Sequence, residues 1–266
     1  MQSYESDARM VSGVEAVSEA DQPAEPAPGA RKPWAKLRFR SWDISAPFYR
    51  WTYIDVAHQL DEDLFAYLGP RVQGAVVADC GCGPGVVTEK FLNHGAARVM
   101  AIDVNAGMLR QVEDRLAQAV ANGQVTPVHQ PVTAALFPNL SEQFLEGDGF
   151  DVVLFKRSLY VKREQARAIL SAVMAQLNTG GVLAVVHGER SLRRYAFKDG
   201  WKPTRYTPYH LFNRLISKVS EKLRINQYTL YTQEELLALL AEVAPGHQVE
   251  TIPSAQRAYN LAAVLA

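Results

Sequence analysis

Two acidic residues with a glycine-rich loop between them are the groups in this sequence best suited to hold a ligand. Asp79 ends the apolar run that starts at Val76, and a helical pattern begins at Val86. Between them lie Gly81, Gly83 and Gly85. Glycine permits positive φ and lets a ligand lie against the main chain, and the start of a helix offers unpaired N–H groups. The stretch therefore predicts a buried strand, a tight turn and a helix that together bind a ligand.

Asp103 supplies the second carboxylate. It ends the next predicted strand, Arg98–Asp103. Parallel strands joined by one helix lie side by side, so we expect Asp103 beside the glycine loop. An acid in this place, about 20 residues after the loop, suits a pair of ribose hydroxyls. The two features predict a nucleoside-containing ligand in a βαβ unit.

The pattern Asp79-x-Gly81-x-Gly83-x-Gly85 with Asp103 resembles the class I S-adenosylmethionine (SAM)-dependent methyltransferase family. The resemblance covers about Trp42 to Leu265, and its further motifs are Phe150–Asp151 and Gly180–Gly181. It implies that the loop holds the methionine end of SAM and that Asp103 accepts hydrogen bonds from both ribose hydroxyls. It also implies in-line methyl transfer, in which the protein mainly aligns the reactants. The predicted cofactor contacts are Asp79, Gly81, Cys82, Gly83, Gly85, Asp103, Val104, Gln130 and Tyr49.

A nicotinamide or flavin Rossmann domain is the competing interpretation of the loop. Its fingerprint is Gly-x-Gly-x-x-Gly, but Val86 stands where the third glycine should be. Asp79 would also face a pyrophosphate. We therefore prefer SAM as the cofactor.

The family resemblance also shows one departure and leaves the acceptor side open. Many members carry an acid after the third strand for the adenine amine, whereas this chain has Gln130, whose amide both donates and accepts. If the acceptor must lose a proton early, a general base is needed. The candidates are His187 at the end of strand 5, Tyr160 after strand 4, and His210. For each histidine a structural role is the alternative.

No metal is predicted. The metal-dependent branch of the family needs clustered acids near strand 4, and Asp151 begins that strand instead of ending it. Cys80 and Cys82 belong to the tight turn, so we expect them to be small fillers and neither a disulfide nor a zinc site.

The expected fold class is α/β, a Rossmann-like, doubly wound, mostly parallel sheet of seven strands. We expect a disordered tail over residues 1–33 and a methyltransferase domain over residues 34–266, with a helical cover at 34–70 and a lid inserted at 188–227. The strands are predicted at 76–79, 98–103, 125–129, 150–155, 182–186, 249–252 and 258–265, and the helices start at 86, after 103, before 166 and at 232. A turn is predicted at Leu177–Gly181.

Composition limits the partners. The chain has 266 residues, 48% of them hydrophobic, and its formal net charge is zero. We expect a cytoplasmic protein that acts on a small molecule and does not bind DNA; oligomeric state is left open. The segment 190–224 combines basic and aromatic residues, which suggests an anionic substrate or contact with a membrane surface or RNA. A solvated basic face of a capping helix is the alternative, and the zero net charge makes membrane or RNA contact the less favoured hypothesis. RNA or protein methylation and a SAM-binding scaffold without methyl transfer are the alternative functions.

Overall fold

The computed structural model describes residues 60–145, 148–188, 229–254 and 259–266. Two predicted site residues, Tyr49 and His210, lie outside these ranges, as do the predicted tail at 1–33 and almost all of the predicted lid at 188–227.

The described residues form one seven-stranded sheet with the strand order β3-β2-β1-β4-β5-β7-β6. The strands are β1 Val76–Cys80, β2 Arg98–Asp103, β3 Val125–His129, β4 Phe150–Lys156, β5 Leu177–Gly188, β6 Gln248–Thr251 and β7 Tyr259–Leu265. The first five strands pair in parallel, and β7 pairs antiparallel with both β5 and β6. The mostly parallel, doubly wound sheet that the sequence predicts is confirmed, including the closing hairpin.

Helices cover both faces of the sheet. They are α1 (60–72), α2 Val86–Asn93, α3 Ala106–Arg115, α4 Ala117–Ala121, α5 Leu136–Phe144, α6 Arg163–Met174 and α7 Gln233–Val243. At the start of α7, the Thr232 hydroxyl accepts from the Glu235 N–H, and the Glu235 carboxylate accepts from the Thr232 N–H. This reciprocal cap satisfies two helix N–H groups and confirms the predicted start. No helix of the described residues is long and apolar enough to cross a membrane.

The alternation of side chains along the central strands produces two cores. On one face, which we call the α1–α4 face, Val77, Leu154 and Ala184 pack against the first helices. On the opposite face, the α5–α7 face, Ala78, Phe155 and Val185 pack against the last three. Strands buried on both sides explain why the sequence shows continuous apolar runs at these places.

Two predicted elements differ from the structure. The helix expected after Asp103 is divided at Leu116, whose backbone at φ −117° and ψ 30° leaves the helical region. The residues predicted as a turn before strand 5 instead begin β5, where Leu177 pairs with Phe150. The register then shifts before Val182, and Gly180 has φ +81°, so the chain turns locally inside an element that still pairs at both ends.

Candidate functional site

The glycine loop leaves β1 in the conformation that its residue types predict. Gly81, Gly83 and Gly85 have φ of +73°, +56° and +80°. Gly85 is also the N-cap of α2, with no side-chain cap. A residue with a side chain costs about 1–2 kcal/mol of stability in this left-handed region. Three such positions, at every second residue, therefore explain the repeated glycine.

The three glycines differ in what surrounds them. A Cβ on Gly81 would stand 2.4 Å from Ser158 Cβ, and one on Gly85 would stand 3.1 Å from Val112 Cγ2. A Cβ on Gly83 would meet nothing within 4 Å. Gly81 and Gly85 are therefore glycine because the protein itself is close, whereas Gly83 leaves open space above the main chain at the carboxyl edge of the sheet.

Asp79 lies beneath this loop and is almost completely buried, with 1% of its surface exposed. Its Oδ2 accepts a hydrogen bond from the Thr88 hydroxyl in α2 at 2.7 Å. Burial raises the pKa of Asp79 to about 6, although the Thr88 hydrogen bond and the positive charge of Lys156 both lower it. The carboxylate is therefore ionised at neutral pH but poised to take up a proton in mild acid.

Asp103 lies beside the loop, as predicted. Its Oδ2 accepts from the Gly83 N–H at 3.0 Å, and its Oδ1 accepts from the Asn105 N–H at 2.8 Å. Burial raises the pKa of Asp103, and these backbone donors lower it. The carboxylate is thus fixed at the end of β2, next to the glycine that leaves open space.

Three further predicted cofactor contacts surround the two acids. Val104 is 46% exposed directly after β2. Gln130 is half-buried after β3. Cys82 is buried in the loop, and its thiol, like that of Cys80, is free. Burial raises the pKa of both thiols, so they are packed apolar fillers and not nucleophiles.

The predicted acceptor-side residues meet at the ends of β4 and β5. The ring of His187 lies 5.0 Å from the ring centroid of Tyr160 and 5.0 Å from that of Tyr231. His187 is fully buried, its Nε2 is 3.0 Å from the Leu159 carbonyl oxygen, and its Nδ1 is 3.1 Å from that of Gly188. Burial lowers the pKa of His187. In this arrangement both nitrogens face backbone acceptors, which is the structural role named as the alternative. The catalytic roles of His187 and Tyr160 stay predictions.

Two buried charges beneath the site were not predicted. Lys156 ends β4 and is 6% exposed, and its ammonium is hydrogen-bonded to Asp61 of α1, which is 1% exposed. Lys90 of α2 also reaches Asp61, at 3.4 Å. The available signals were a lysine at the end of an apolar strand and an acid directly after Leu60 on the apolar side of a helix.

Comparison with known proteins agrees with this geometry. A family model described as a methyltransferase domain matches residues 77–181, which run from β1 to the beginning of β5. Trans-aconitate 2-methyltransferase of Rhodopseudomonas palustris is 29% identical over 143 residues, or 50% of this chain and 49% of that protein. The tRNA U34 carboxymethyltransferase of Shewanella woodyi is 31% identical over 159 residues, or 58% of this chain and 42% of that protein. The chain thus spans less than half the length of these curated relatives.

A solved structure shares the fold. An O-methyltransferase family protein from Burkholderia thailandensis superposes with a TM-score of 0.61 at 16% identity, covering 86% of this chain and 62% of that one. The family match includes the glycine loop, Asp103 and the strand that begins at Phe150, which are the motifs that carried the resemblance. Residues 77–181 therefore match a methyltransferase domain, and the described residues have the Rossmann-like fold of class I SAM-dependent methyltransferases.

Proposed function

We propose that this protein binds SAM at the loop between β1 and α2 and transfers its methyl group to a small anionic molecule. The observation that carries the proposal is the arrangement of Gly83 and Asp103. An open glycine at positive φ stands directly beside a fixed carboxylate at the end of the neighbouring strand. This is the geometry that a nucleoside with an attached amino acid needs.

The predicted cofactor residues fit the chemical groups of SAM. The two Asp103 oxygens would accept from the ribose hydroxyls, and the open main chain at Gly83 would let the methionine part approach. Asp79 would balance the positive charge of the amino group at the end of β1. Val104 would contact the apolar face of the adenine, and the Gln130 amide would pair with its polar edge.

The chain's own contribution to methyl transfer is alignment and exclusion of water. When bound, SAM supplies an activated methyl group together with its leaving group. The fixed backbone of the loop and of β4 would hold the cofactor's position, and residues at the ends of β4 and β5 would orient the acceptor. Tyr160, half-buried beside the His187 ring, is the described side chain best placed for that second task.

Two observations support an anionic substrate. Arg157, directly after Lys156 at the carboxyl end of β4, keeps φ +59° although it is not glycine. Such backbone costs about 1–2 kcal/mol and is retained mostly where function requires it. The relative from R. palustris is named for trans-aconitate, a polycarboxylate. A half-buried guanidinium at this edge would suit a carboxylate acceptor.

RNA is the second candidate substrate, because the segment 190–224 is rich in basic and aromatic residues and the S. woodyi relative is named for a tRNA. The formal net charge of zero argues against it. Methyl transfer from labelled SAM to a panel of small di- and tricarboxylates, run beside bulk tRNA and rRNA, separates the two. Label in RNA alone would replace the small-molecule proposal.

The cofactor is tested by calorimetric titration with S-adenosylhomocysteine (SAH) and, separately, with NAD. We expect SAH to bind and NAD not to bind. Gly83→Ala and Gly123→Ala form a matched pair, because both glycines have positive φ and no atom near an added Cβ. Both substitutions should cost similar stability, but Gly83→Ala alone should weaken SAH binding. Preferential binding of NAD, or equal SAH affinity in the two variants, would contradict the proposed cofactor site.

A further inference from the structure

A cluster of buried charges lies beneath the cofactor loop, and the methyl-transfer chemistry does not call for it. Its buried members come from three elements, Asp61 from α1, Asp79 from β1 and Lys156 from β4, and the half-buried Lys90 of α2 pairs with Asp61 at its edge. In the described part of the chain, Asp61, Asp79 and Lys156 are the charged residues that are buried. All of them lie on the α1–α4 face.

Stability alone does not explain this cluster. Burying an ion pair usually gains little over apolar residues of the same size, because the desolvation penalty offsets the attraction. The strands around the cluster bury valine and leucine on the same face, so an apolar replacement of Lys156 and Asp61 was available to the fold. The place of the pair, between the cover helix α1 and the acid under the loop, suggests a role in ligand binding.

Strand register explains how Lys156 can act on Asp79. Asp79 pairs with Leu154 across β1 and β4, and Lys156 follows two residues later, so both side chains point to the same face. Asp61 then holds the lysine ammonium from the helix above. The lysine thus bonds to one buried carboxylate and shares a face of the sheet with a second, Asp79, which belongs to the proposed SAM site.

We propose that Lys156 is a positioning residue that keeps Asp79 charged for the amino group of the cofactor, and that Asp61 sets the strength of this effect by sharing the same ammonium. The proposal rests on the proposed SAM site. In this proposal the contact between α1 and β4 sets the pH below which cofactor affinity declines.

The charges around Asp79 determine whether each substitution raises or lowers the pKa of this carboxyl group. Lys156 lowers the pKa of Asp79, whereas Asp61 and Asp103 raise it. The Thr88 hydroxyl of α2 stabilises the ionised form as well. On the outer side of the cluster Lys90 pairs with both Asp61 and Glu62, and Arg157 repels Lys156. Burial also raises the pKa of Asp103, and the nearby His129 lowers that pKa.

If an ionised Asp79 is needed, SAH affinity is constant above the pKa of this group and falls up to tenfold per pH unit below it. Lys156→Met removes the favourable charge, so the decline in affinity should begin at higher pH. Asp61→Asn removes an unfavourable charge and frees the ammonium for Asp79, so the decline should begin at lower pH. Opposite shifts from the two members of one ion pair are the signature of the proposal.

The experiment is calorimetric titration of the full-length protein with SAH from pH 5 to pH 8. The variants are Lys156→Met, Asp61→Asn and their combination, with Arg163→Met as the matched control. Arg163 also loses an ion pair, to Glu242 at 2.8 Å, but on the opposite face of the sheet. We expect Lys156→Met to move the midpoint of the acid decline upward by about one pH unit, which is about fivefold weaker binding at pH 6 and about ninefold weaker binding at pH 5. We expect Asp61→Asn to move it downward, and the control not to move it.

Each single variant keeps a countercharge, since Lys90 still faces Asp61 and Asp79 still faces Lys156. If either single variant does not fold, the double variant, which is neutral at both positions, still tests the proposal. Lys156 acts on Asp79 more strongly than Asp61 does, so the midpoint of the double variant must lie above that of wild type. Unchanged midpoints, or shifts of the same sign in both single variants, would overturn the proposal while leaving SAH binding intact. Failure of the wild-type protein to bind SAH would overturn the proposed function itself, so the two failures are distinct.

Discussion

The two faces of the sheet bury polar side chains in opposite ways. On the α5–α7 face the buried polar groups bond to the backbone. The His187 ring lies between the Leu159 and Gly188 carbonyls and can donate to one of them when neutral, and Asn260 donates to the Tyr231 carbonyl at 3.0 Å. On the α1–α4 face the buried polar groups are three charges that act on one another, together with the Thr88 hydroxyl, which donates to Asp79. A neutral group that bonds to the backbone stabilises the fold at little cost, whereas a buried charge lowers stability unless it is compensated.

The difference between the two faces agrees with the proposed ligand site, which lies on the α1–α4 side. The charges lie under the glycine loop and at the ends of β1, β2 and β4, where ligands of parallel sheets bind. The apolar and backbone-bonded groups of the other face hold the strands in place. If this division is right, substitutions on the α1–α4 face should change ligand binding, and substitutions on the α5–α7 face should change stability.

The largest effect is expected at Asp103. Asp103→Ala removes two charge-assisted hydrogen bonds to the ribose, each of about 1.5–3 kcal/mol, so SAH affinity should fall by roughly 10²- to 10⁴-fold. Calorimetry measures it. Asp103→Asn is the matched variant, since it keeps size and one acceptor and should lose less. An Asp103→Ala protein that binds SAH normally would remove this residue from the site.

The next effect concerns the loop itself. Gly81→Ala places a Cβ 2.4 Å from Ser158 Cβ at φ +73°, so we expect roughly 2–5 kcal/mol of destabilisation from overpacking and backbone strain together. Gly123→Ala, at φ +78° with open space around it, should be destabilised by backbone strain alone, about 1–2 kcal/mol. Urea unfolding of both variants compares them. If both variants lost the same free energy of unfolding, the Ser158 side chain would be able to move away from the added Cβ without any loss of stability.

Asp79→Asn should have opposite effects on SAH affinity and on the free energy of unfolding. Its pKa of about 6 exceeds the usual 3.8, so the folded state holds a proton more tightly than the unfolded state does. Ionisation therefore costs stability progressively from pH 4 to pH 6, and the loss is constant above that, on the order of 2–3 kcal/mol. Asp79→Asn should be more stable than wild type at pH 8, and the difference should disappear near pH 4.

The same Asp79→Asn protein should bind SAH more weakly. Unfolding by urea at pH 4 and pH 8, with calorimetry at pH 8, provides both readings. A variant that is less stable than wild type at pH 8 would show that the Asp79 carboxylate serves the fold and not the ligand.

The smallest effect is expected on the opposite face. His187→Phe leaves the Leu159 carbonyl without its partner and should cost about 1–2 kcal/mol at pH 8. Burial lowers the pKa of His187, so the wild type loses stability as the pH falls below the unfolded value of about 6.5. The difference between the two proteins should therefore shrink at pH 5.5, and SAH affinity should not change. A loss of methyl transfer without any loss of stability would instead support the predicted catalytic role of His187.

Local patterns predicted the conformation of the glycine loop and the position of Asp103 beside it, because the determinants of both are local. The strand from Val76, the three loop glycines and Asp103 all lie within 28 residues of one another, and each glycine follows from a backbone conformation. The division of the second helix at Leu116 was missed, because nothing in the apolar spacing marks it.

The buried pair of Lys156 and Asp61 could not be predicted in this way. Its members are 95 residues apart and meet only after α1 has packed on the sheet. His187 was predicted as a general base from its place at a strand end. The structure surrounds it with two carbonyls and two tyrosine rings, because β5 lies between β4 and β7 and is covered on this face.

The most direct test of the central claim is a crystal structure of the protein with SAH. The claim is that the open main chain at Gly83 and the carboxylate of Asp103 form the nucleoside site. We expect the SAH ribose hydroxyls within hydrogen-bonding distance of the Asp103 oxygens, about 2.6–3.0 Å, and the homocysteine part against Gly83 above Asp79. A ligand bound elsewhere, or a ribose that does not contact Asp103, would contradict the account.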